Sequence, residues 1–144
     1  MASEAATTVD RPITLVDSSV LLDILTDDPQ WRDWSERAVA AARDQGMLVI
    51  NPIVYAEVST GFAAIEDLDD AVPAYDFARE PLPFEAGFLA GKAFLAYRHR
   101  GGQRRSPLLD FYIGAHAAVA GYRLLTRDDR RYRTYFPSLQ LVAP

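Results

Sequence analysis

Asp17, Glu57, Asp110 and Asp128 are the four side chains of this sequence best placed to do chemistry. Ile13-Thr14-Leu15-Val16 reads as a short buried strand. After Asp17, Ser18 and Ser19, the apolar residues Val20, Leu21, Ile24 and Leu25 recur at helical spacing. Asp17 therefore stands where a strand turns into a helix, the edge at which open α/β sheets bind ligands. Aspartate is also a favoured helix N-cap, so this stretch alone leaves both roles open. Glu57 follows Val54 and Ile53 by three and four residues and shares their apolar helix face. A carboxylate there must be protonated, paired or bound to a metal, and an arginine partner is the alternative to a site. Asp110 lies in the first turn of a helix, Leu108 to Tyr122, that is otherwise almost wholly apolar or small. Aspartate suits a helix N-terminus, but in such surroundings it still needs a polar neighbour. Asp128 falls just beyond another buried strand, Tyr122 to Thr126, and Asp129 beside it can share or replace its role.

Four bare carboxylates in one pocket raise each other's pKa values. A hard divalent cation removes the conflict. Mg2+ and Mn2+ prefer oxygen ligands, and Mg2+ usually binds through one or two carboxylates with retained waters and phosphate oxygens. Such a centre can activate a water and stabilise charge on a phosphodiester in transfer. No competing nucleophile is evident. The chain has no cysteine, no G-x-S-x-G elbow, no P-loop and no G-x-G-x-x-G turn. Its single lysine, Lys92, sits within a helical stretch, unlike the lysine that accompanies acidic phosphatase or phospho-receiver pockets. His116 falls on a different face of its helix from Asp110 and reads as structural, as does His99 at a helix end.

The elements that must position these acids alternate. A helix from Gln30 to Gln45 carries Trp31, Trp34, Ala38, Ala41 and Ala42 on one face and stops at Gly46. The two tryptophans fit core or interface better than a base-stacking platform. Met47-Leu48-Val49-Ile50 is a second strand, closed by Asn51 as N-cap and Pro52 at the first helical position. The helix after it runs to about Ala64. A short acidic helix from Glu66 to Tyr75, a weak strand from Phe77 to Leu82 and a long helix from Phe84 to Arg100 follow. Gly101 to Arg105 is a basic loop, with Ser106 as N-cap and Pro107 as first residue of the next helix. Leu139 to Val142 reads as a closing edge strand. Strands alternating with helices predict an α/β fold: a central parallel sheet of about five strands with helices on both faces.

A chain of 144 residues suits one domain, here 13–144, preceded by a flexible N-terminal segment, 1–12. The formal net charge is −5, but residues 1–97 carry 6 basic and 17 acidic groups, and residues 98–144 carry 9 arginines against 3 acids. The overall acidity argues against a general nucleic-acid coat, while the local arginine cluster permits a phosphate-binding lip. Arg104, Arg105, Arg127, Arg130 and Arg131 are candidates for RNA backbone contact by position. No apolar run is long enough to cross a bilayer and no secretory signal is evident; the expectation is a cytoplasmic protein.

The stretches Val16-Asp17-Ser18-Ser19-Val20-Leu21-Leu22, Pro52 to Glu57, Asp110-Phe111-Tyr112-Ile113-Gly114-Ala115-His116-Ala117 and Leu125-Thr126-Arg127-Asp128 together resemble the ordered motifs of a PIN domain. The likeness is to VapC-type toxins of type II toxin–antitoxin modules, and Arg131-Tyr132-Arg133-Thr134-Tyr135-Phe136-Pro137 resembles a segment common in that group. The resemblance covers the chain from Ile13 onward. It implies a Mg2+- or Mn2+-dependent endoribonuclease, usually homodimeric, held inactive by a VapB-type antitoxin. Asp17, Glu57, Asp110 and Asp128 then match the metal-site acids, Thr126 the small polar residue beside the last acid, and Ser19 a residue that orients the site. An antitoxin segment is expected across the acidic cleft, with a cation in the metal's place and Phe62 and Ile65 facing its apolar side. The competing expectation is a non-catalytic PIN-like module that works with a DNA-binding antitoxin in transcriptional autoregulation. A flavodoxin-like small-molecule binder is disfavoured by the missing glycine-rich loops.

Overall fold

The structure, a computed structural model, describes residues 11–102 and 107–144. The expected flexible segment 1–12 therefore lies outside the described residues, except for Arg11 and Pro12. Ser106, Arg104 and Arg105 also lie outside them. Among the described residues the chain forms five strands and seven helices. The strands are β1 (Ile13–Val16), β2 (Met47–Ile50), β3 (Phe77–Arg79), β4 (Arg123–Leu125) and β5 (Leu141–Val142). The helices are α1 (Ser18–Leu25), α2 (Arg32–Gln45), α3 (Pro52–Ser59), α4 (Ile65–Ala71), α5 (Phe84–His99), α6 (Leu108–Ala120) and α7 (Arg130–Tyr135).

All strand pairs are parallel, in the order β3-β2-β1-β4-β5, so the expected architecture is the observed one. The central strand β1 pairs on one side through Leu15 with Val49 of β2 and on the other through Leu15 with Leu124 of β4. Neighbouring residues of a strand point to opposite faces. Leu15 and Val16, Val49 and Ile50, and Leu124 and Leu125 are all buried, which means that both faces of the sheet are covered. This is why these strands read as continuous apolar runs rather than as alternating ones. After β1 the chain moves toward β2 and β3, and after β4 it moves the other way, to β5. The divergence between β1 and β4 opens a crevice at their carboxyl ends, where such sheets bind ligands.

Element ends follow local chemistry. The Asp28 carboxylate accepts from the Gln30 and Trp31 amides at 2.9 and 2.8 Å, closing a turn that delays α2 to Arg32. Asn51 caps α3 as expected, its Oδ1 accepting from the Val54 amide at 3.0 Å, with Pro52 at the first position. α3 ends at Ser59, short of Ala64, and α4 ends at Ala71, before Pro73. β3 ends at Arg79, because Pro81 and Pro83 cannot extend a ladder. Pro107 takes the N-cap position of α6 rather than the first helical one.

Two glycines permit close approach. Gly114 of α6 lies under α7: a Cβ there would stand 2.8–2.9 Å from the rings of Phe136 and Tyr132. Gly46, between α2 and β2, meets the chain entering β1, where an added Cβ would fall 1.9 Å from the Pro12 carbonyl oxygen. A backbone obstacle cannot swing aside as a side chain can. Gly46→Ala is expected to cost about 2 kcal/mol by forcing β1 and β2 apart at their amino ends, read as a lower melting temperature. An unchanged melt would show that the Pro12 segment moves freely.

Candidate active site

Asp17 occupies the N-cap position of α1, yet its side chain makes no capping hydrogen bond. Both described side-chain donors to it reach Oδ2 instead. Thr126 Oγ1, at the end of β4, donates at 2.8 Å, and Ser19 Oγ donates at 3.1 Å. These hydroxyls are themselves fixed by the turn after β4. Thr126 Oγ1 accepts from the Asp128 amide at 3.2 Å, and Ser19 Oγ from the Arg127 amide at 3.4 Å. The Asp17 amide in turn donates to the Leu125 carbonyl at 2.9 Å. The choice left open by the sequence is thus made by β4: the carboxylate turns into the crevice between β1 and β4 rather than back onto its helix.

Asp17 shares a hollow of about 290 Å³ with Ser18, Ser19, Leu22, Asp110, Arg127, Asp128, Arg131 and Tyr132. Glu57 does not line it. It stands behind Ser18, whose hydroxyl donates to Glu57 Oε1 at 2.7 Å. Asp110 enters from the first turn of α6 and accepts from Arg131 Nη1 at 2.6 Å. Asp128 is exposed at the rim, while the Asp129 carboxylate is taken by Arg133 four residues on. Of the adjacent pair, Asp128 is the one that faces the hollow. A larger hollow, of about 370 Å³, lies beside Asn51, Tyr55 and Glu80. It contains none of the four acids.

The charges explain why this crevice is chemically poised. Burial pushes the Asp17 carboxyl up to about 6; Thr126 and Ser19 oppose that rise, and the charges of Asp110 and Glu57 add to it. Glu57 is raised by burial against the pull of Ser18, and further by Asp110. Asp110 is raised by burial, opposed by Arg131 and reinforced by Asp128. Three carboxyls on three elements thus disfavour one another's ionisation, and one arginine offsets only part of it. The Tyr132 ring lies under the same cluster, buried to 2 % exposure. Its phenol is raised well above its ordinary range by burial and by the charges of Asp17, Asp110 and Glu57.

The donor set is entirely oxygen, from carboxylates and the hydroxyls of Ser18, Ser19 and Thr126, which suits Mg2+ or Mn2+ rather than a softer metal. Among the described residues no three acidic or histidine side chains close around one point. The set therefore fits an ion that keeps part of its water shell, as Mg2+ does when one or two carboxylates hold it. The deeply buried Tyr132 hydroxyl, without a partner among the described residues, also fits a pocket whose polar contents are not all protein.

The arginines divide. Arg127 donates from Nε to Asp23 Oδ2 at 2.8 Å, and its guanidinium covers the Trp31 ring at 5.6 Å. Arg131 is held on Asp110, and Arg130 is exposed. Arg130 and Arg131 line a second hollow of about 360 Å³ with Tyr97, Asp128, Thr134 and Tyr135. This hollow continues the first, because Asp128 and Arg131 belong to both. Phe62 is partly buried against the core, and Ile65 is 60 % exposed.

His116 is far from idle, although it is away from the acids. Asn51 spends its Oδ1 on the α3 cap, so its amide nitrogen faces His116 Nδ1 at 3.1 Å and must donate. Nε2 then carries the proton, toward Glu80 Oε1 at 3.6 Å. Burial lowers the His116 pKa, and Glu80 acts against that. The ring is a neutral tie between β2, α6 and the segment after β3.

Three participants are absent from the candidates that the sequence suggests. Ser18, which holds Glu57, differs from Ser19 only in helical phase. Asp23 lies three residues after Val20 on the buried side of α1, which is a readable signal for a partnered acid. Tyr132 sits within Arg130 to Arg133, and no periodicity there separates an inward ring from an outward one.

Residues 14–137 match the family model described as PIN domain. No curated protein matches the sequence. Among solved structures, the fold is similar to that of VapBC2 from Rickettsia felis bound to a DNA fragment from its promoter, at 16 % identity. That match covers 92 % of this chain and 98 % of that chain, with a TM-score of 0.70. VapBC-1 from nontypeable Haemophilus influenzae is similar at 18 % identity, over 91 % and 97 % of the two chains, with a TM-score of 0.69. VapC20 from Mycobacterium tuberculosis, described as a sarcin-ricin loop cleaving toxin, is similar at 15 % identity, over 84 % and 94 %, with a TM-score of 0.59. At such identities the likeness is one of fold.

Proposed function

The chain belongs to the PIN domain family, and on that premise we propose that it is the toxin of a type II toxin–antitoxin module. Its activity is hydrolysis of RNA phosphodiester bonds by a Mg2+- or Mn2+-dependent endoribonuclease in the cytoplasm. The observation that carries this reading is Asp17. Its carboxylate forgoes the helix cap and is held by Thr126 and Ser19 at the mouth of the β1–β4 crevice, among acids that the described cations only partly balance.

Asp17 and Asp110 would hold the ion, with Glu57 and Asp128 placed around it. When bound, the ion supplies positive charge to a phosphodiester in transfer and lowers the pKa of a water. The protein's own part is orientation. Thr126 and Ser19 fix Asp17 Oδ2, and Ser18 fixes Glu57 Oε1. Arg130 and Arg131 lie along the adjoining hollow, where backbone phosphates flanking the cut bond can be neutralised. Arg104 and Arg105 are assigned to the same contact by position alone.

The partner is a VapB-type antitoxin, a reading supported by similar structures described as VapBC bound to promoter DNA and as VapBC-1. The contact of Arg131 with Asp110 illustrates how a guanidinium satisfies one of these acids. An antitoxin cation laid across the hollow would do the same in trans, and Ile65, 60 % exposed, offers an apolar contact elsewhere on the surface. The family resemblance further suggests a homodimer, which an oligomeric-state measurement in solution would test.

The test is cleavage of a mixed cellular RNA pool by purified, antitoxin-free protein in Mg2+, in Mn2+ and in EDTA. Cutting should require metal and stop in EDTA. A folded protein that binds metal but cuts no RNA in any of these conditions would overturn the nuclease assignment.

A further inference from the structure

The Tyr132 hydroxyl is the unexplained group of the site. It is 2 % exposed, it lines the hollow with Asp17 and Asp110, and among the described residues it has no hydrogen-bond partner. Buried hydroxyls without partners are rare and costly. Packing alone would be served as well by phenylalanine, since it is the ring, at Cδ1, that lies against Gly114. We propose that Tyr132 is a positioning residue for the divalent ion: its phenol oxygen accepts a hydrogen bond from a water in the ion's hydration shell. This rests on the metal-dependent reading above and says which protein group fixes the waters that the carboxylates leave on the ion.

The chemistry favours this role over two others. Tyr132 is no general base, because burial and the nearby carboxylates keep its proton in place. Nor does it bind the RNA backbone, because a group 2 % exposed lies below the rim where Asp128 is exposed. A water is small enough to reach it. An ion-bound water is a strong donor, since the cation draws electron density from its oxygen. The surrounding carboxylates would accept hydrogen bonds from such waters, and a neutral phenol oxygen would accept another at little electrostatic cost. Partners one shell removed from a metal often change its affinity substantially.

The test compares wild-type protein with Tyr132→Phe in Mn2+ binding, followed by the electron paramagnetic resonance signal of free Mn2+, without RNA. Metal-free melting is measured in parallel. The expected result is Mn2+ affinity about tenfold weaker in the variant, with a metal-free melting temperature equal to or above that of the wild type. Equal Mn2+ affinity in the two proteins overturns the role of Tyr132 and leaves the nuclease reading standing. A lower metal-free melting temperature also overturns it, since the hydroxyl would then have a structural partner. A wild-type protein that binds no Mn2+ overturns the metal reading itself, and this inference with it.

Discussion

Asp17→Asn is expected to lower RNA cleavage by at least about 10²–10³-fold while making the metal-free protein more stable at neutral pH. The two effects have one cause. Asparagine keeps an oxygen for Thr126 and Ser19 but loses the charge that holds the ion. That charge is what the metal-free fold tolerates poorly. Burial and two acidic neighbours place the Asp17 carboxyl at about 6, against 3.8 for an ordinary aspartate. Between these values the native state binds more protons than the unfolded one, so stability falls as pH rises from about 4 to about 6 and is level above that. A rise of this size corresponds to roughly 3 kcal/mol. Glu57 and Asp110 are shifted the same way and contribute to the slope in both proteins. The difference between wild type and variant therefore reports Asp17 together with its coupling to Glu57 and Asp110. Denaturant melts from pH 4 to pH 8 without metal would show it, and parallel slopes would contradict it. Adding Mg2+ at about a hundred times its dissociation constant should return roughly 2.7 kcal/mol to the wild type and much less to the variant.

Arg127→Ala is expected to cost about 3 kcal/mol. Its partner Asp23 has a side chain only 3 % exposed, so the ion pair anchors a charge that water cannot reach. Ser35 Oγ also donates to Asp23 Oδ2, at 2.9 Å, but a neutral hydroxyl cannot replace a guanidinium. The pair joins the turn after β4 to α1 and, through Ser35 and the Trp31 face, to α2. Arg127 thus belongs to the scaffold that holds Thr126 and Asp128 in place, whatever it contributes to RNA. Chemical denaturation of Arg127→Ala, Asp23→Ala and the double variant measures the coupling. If the double variant is as unstable as the sum of the two single variants, the pair contributes nothing. Reduced cleavage by Arg127→Ala is interpretable as lost RNA contact only at matched folded fraction.

The four acids were visible because strand-to-helix joints can be read from hydrophobic runs, and a carboxylate that interrupts an apolar face is conspicuous. The Asn51-Pro52 cap and the parallel sheet followed from equally local rules. Element ends were less legible. Asp28 delays α2 through a side-chain turn, and the prolines after Arg79 cut β3 short, both of which compete with periodicity.

By itself the sequence determined which segments form strands and helices, and so that Asp17, Asp110 and Asp128 arrive at one edge of one sheet. The tertiary structure alone decided what each carboxylate does there. Asp17 turns from cap to crevice because Thr126, 109 residues away, supplies a better donor. Asp128 rather than Asp129 faces the hollow because Arg133 claims its neighbour. Glu57 is held one residue back by Ser18. Asp23 found Arg127 across 104 residues, and the Tyr132 ring turned inward where Gly114 left room. The reason is physical. Hydrophobic periodicity reports a residue's phase on its own element, whereas the partner of a buried charge is set by whichever distant group the packed fold brings within about 3 Å of it.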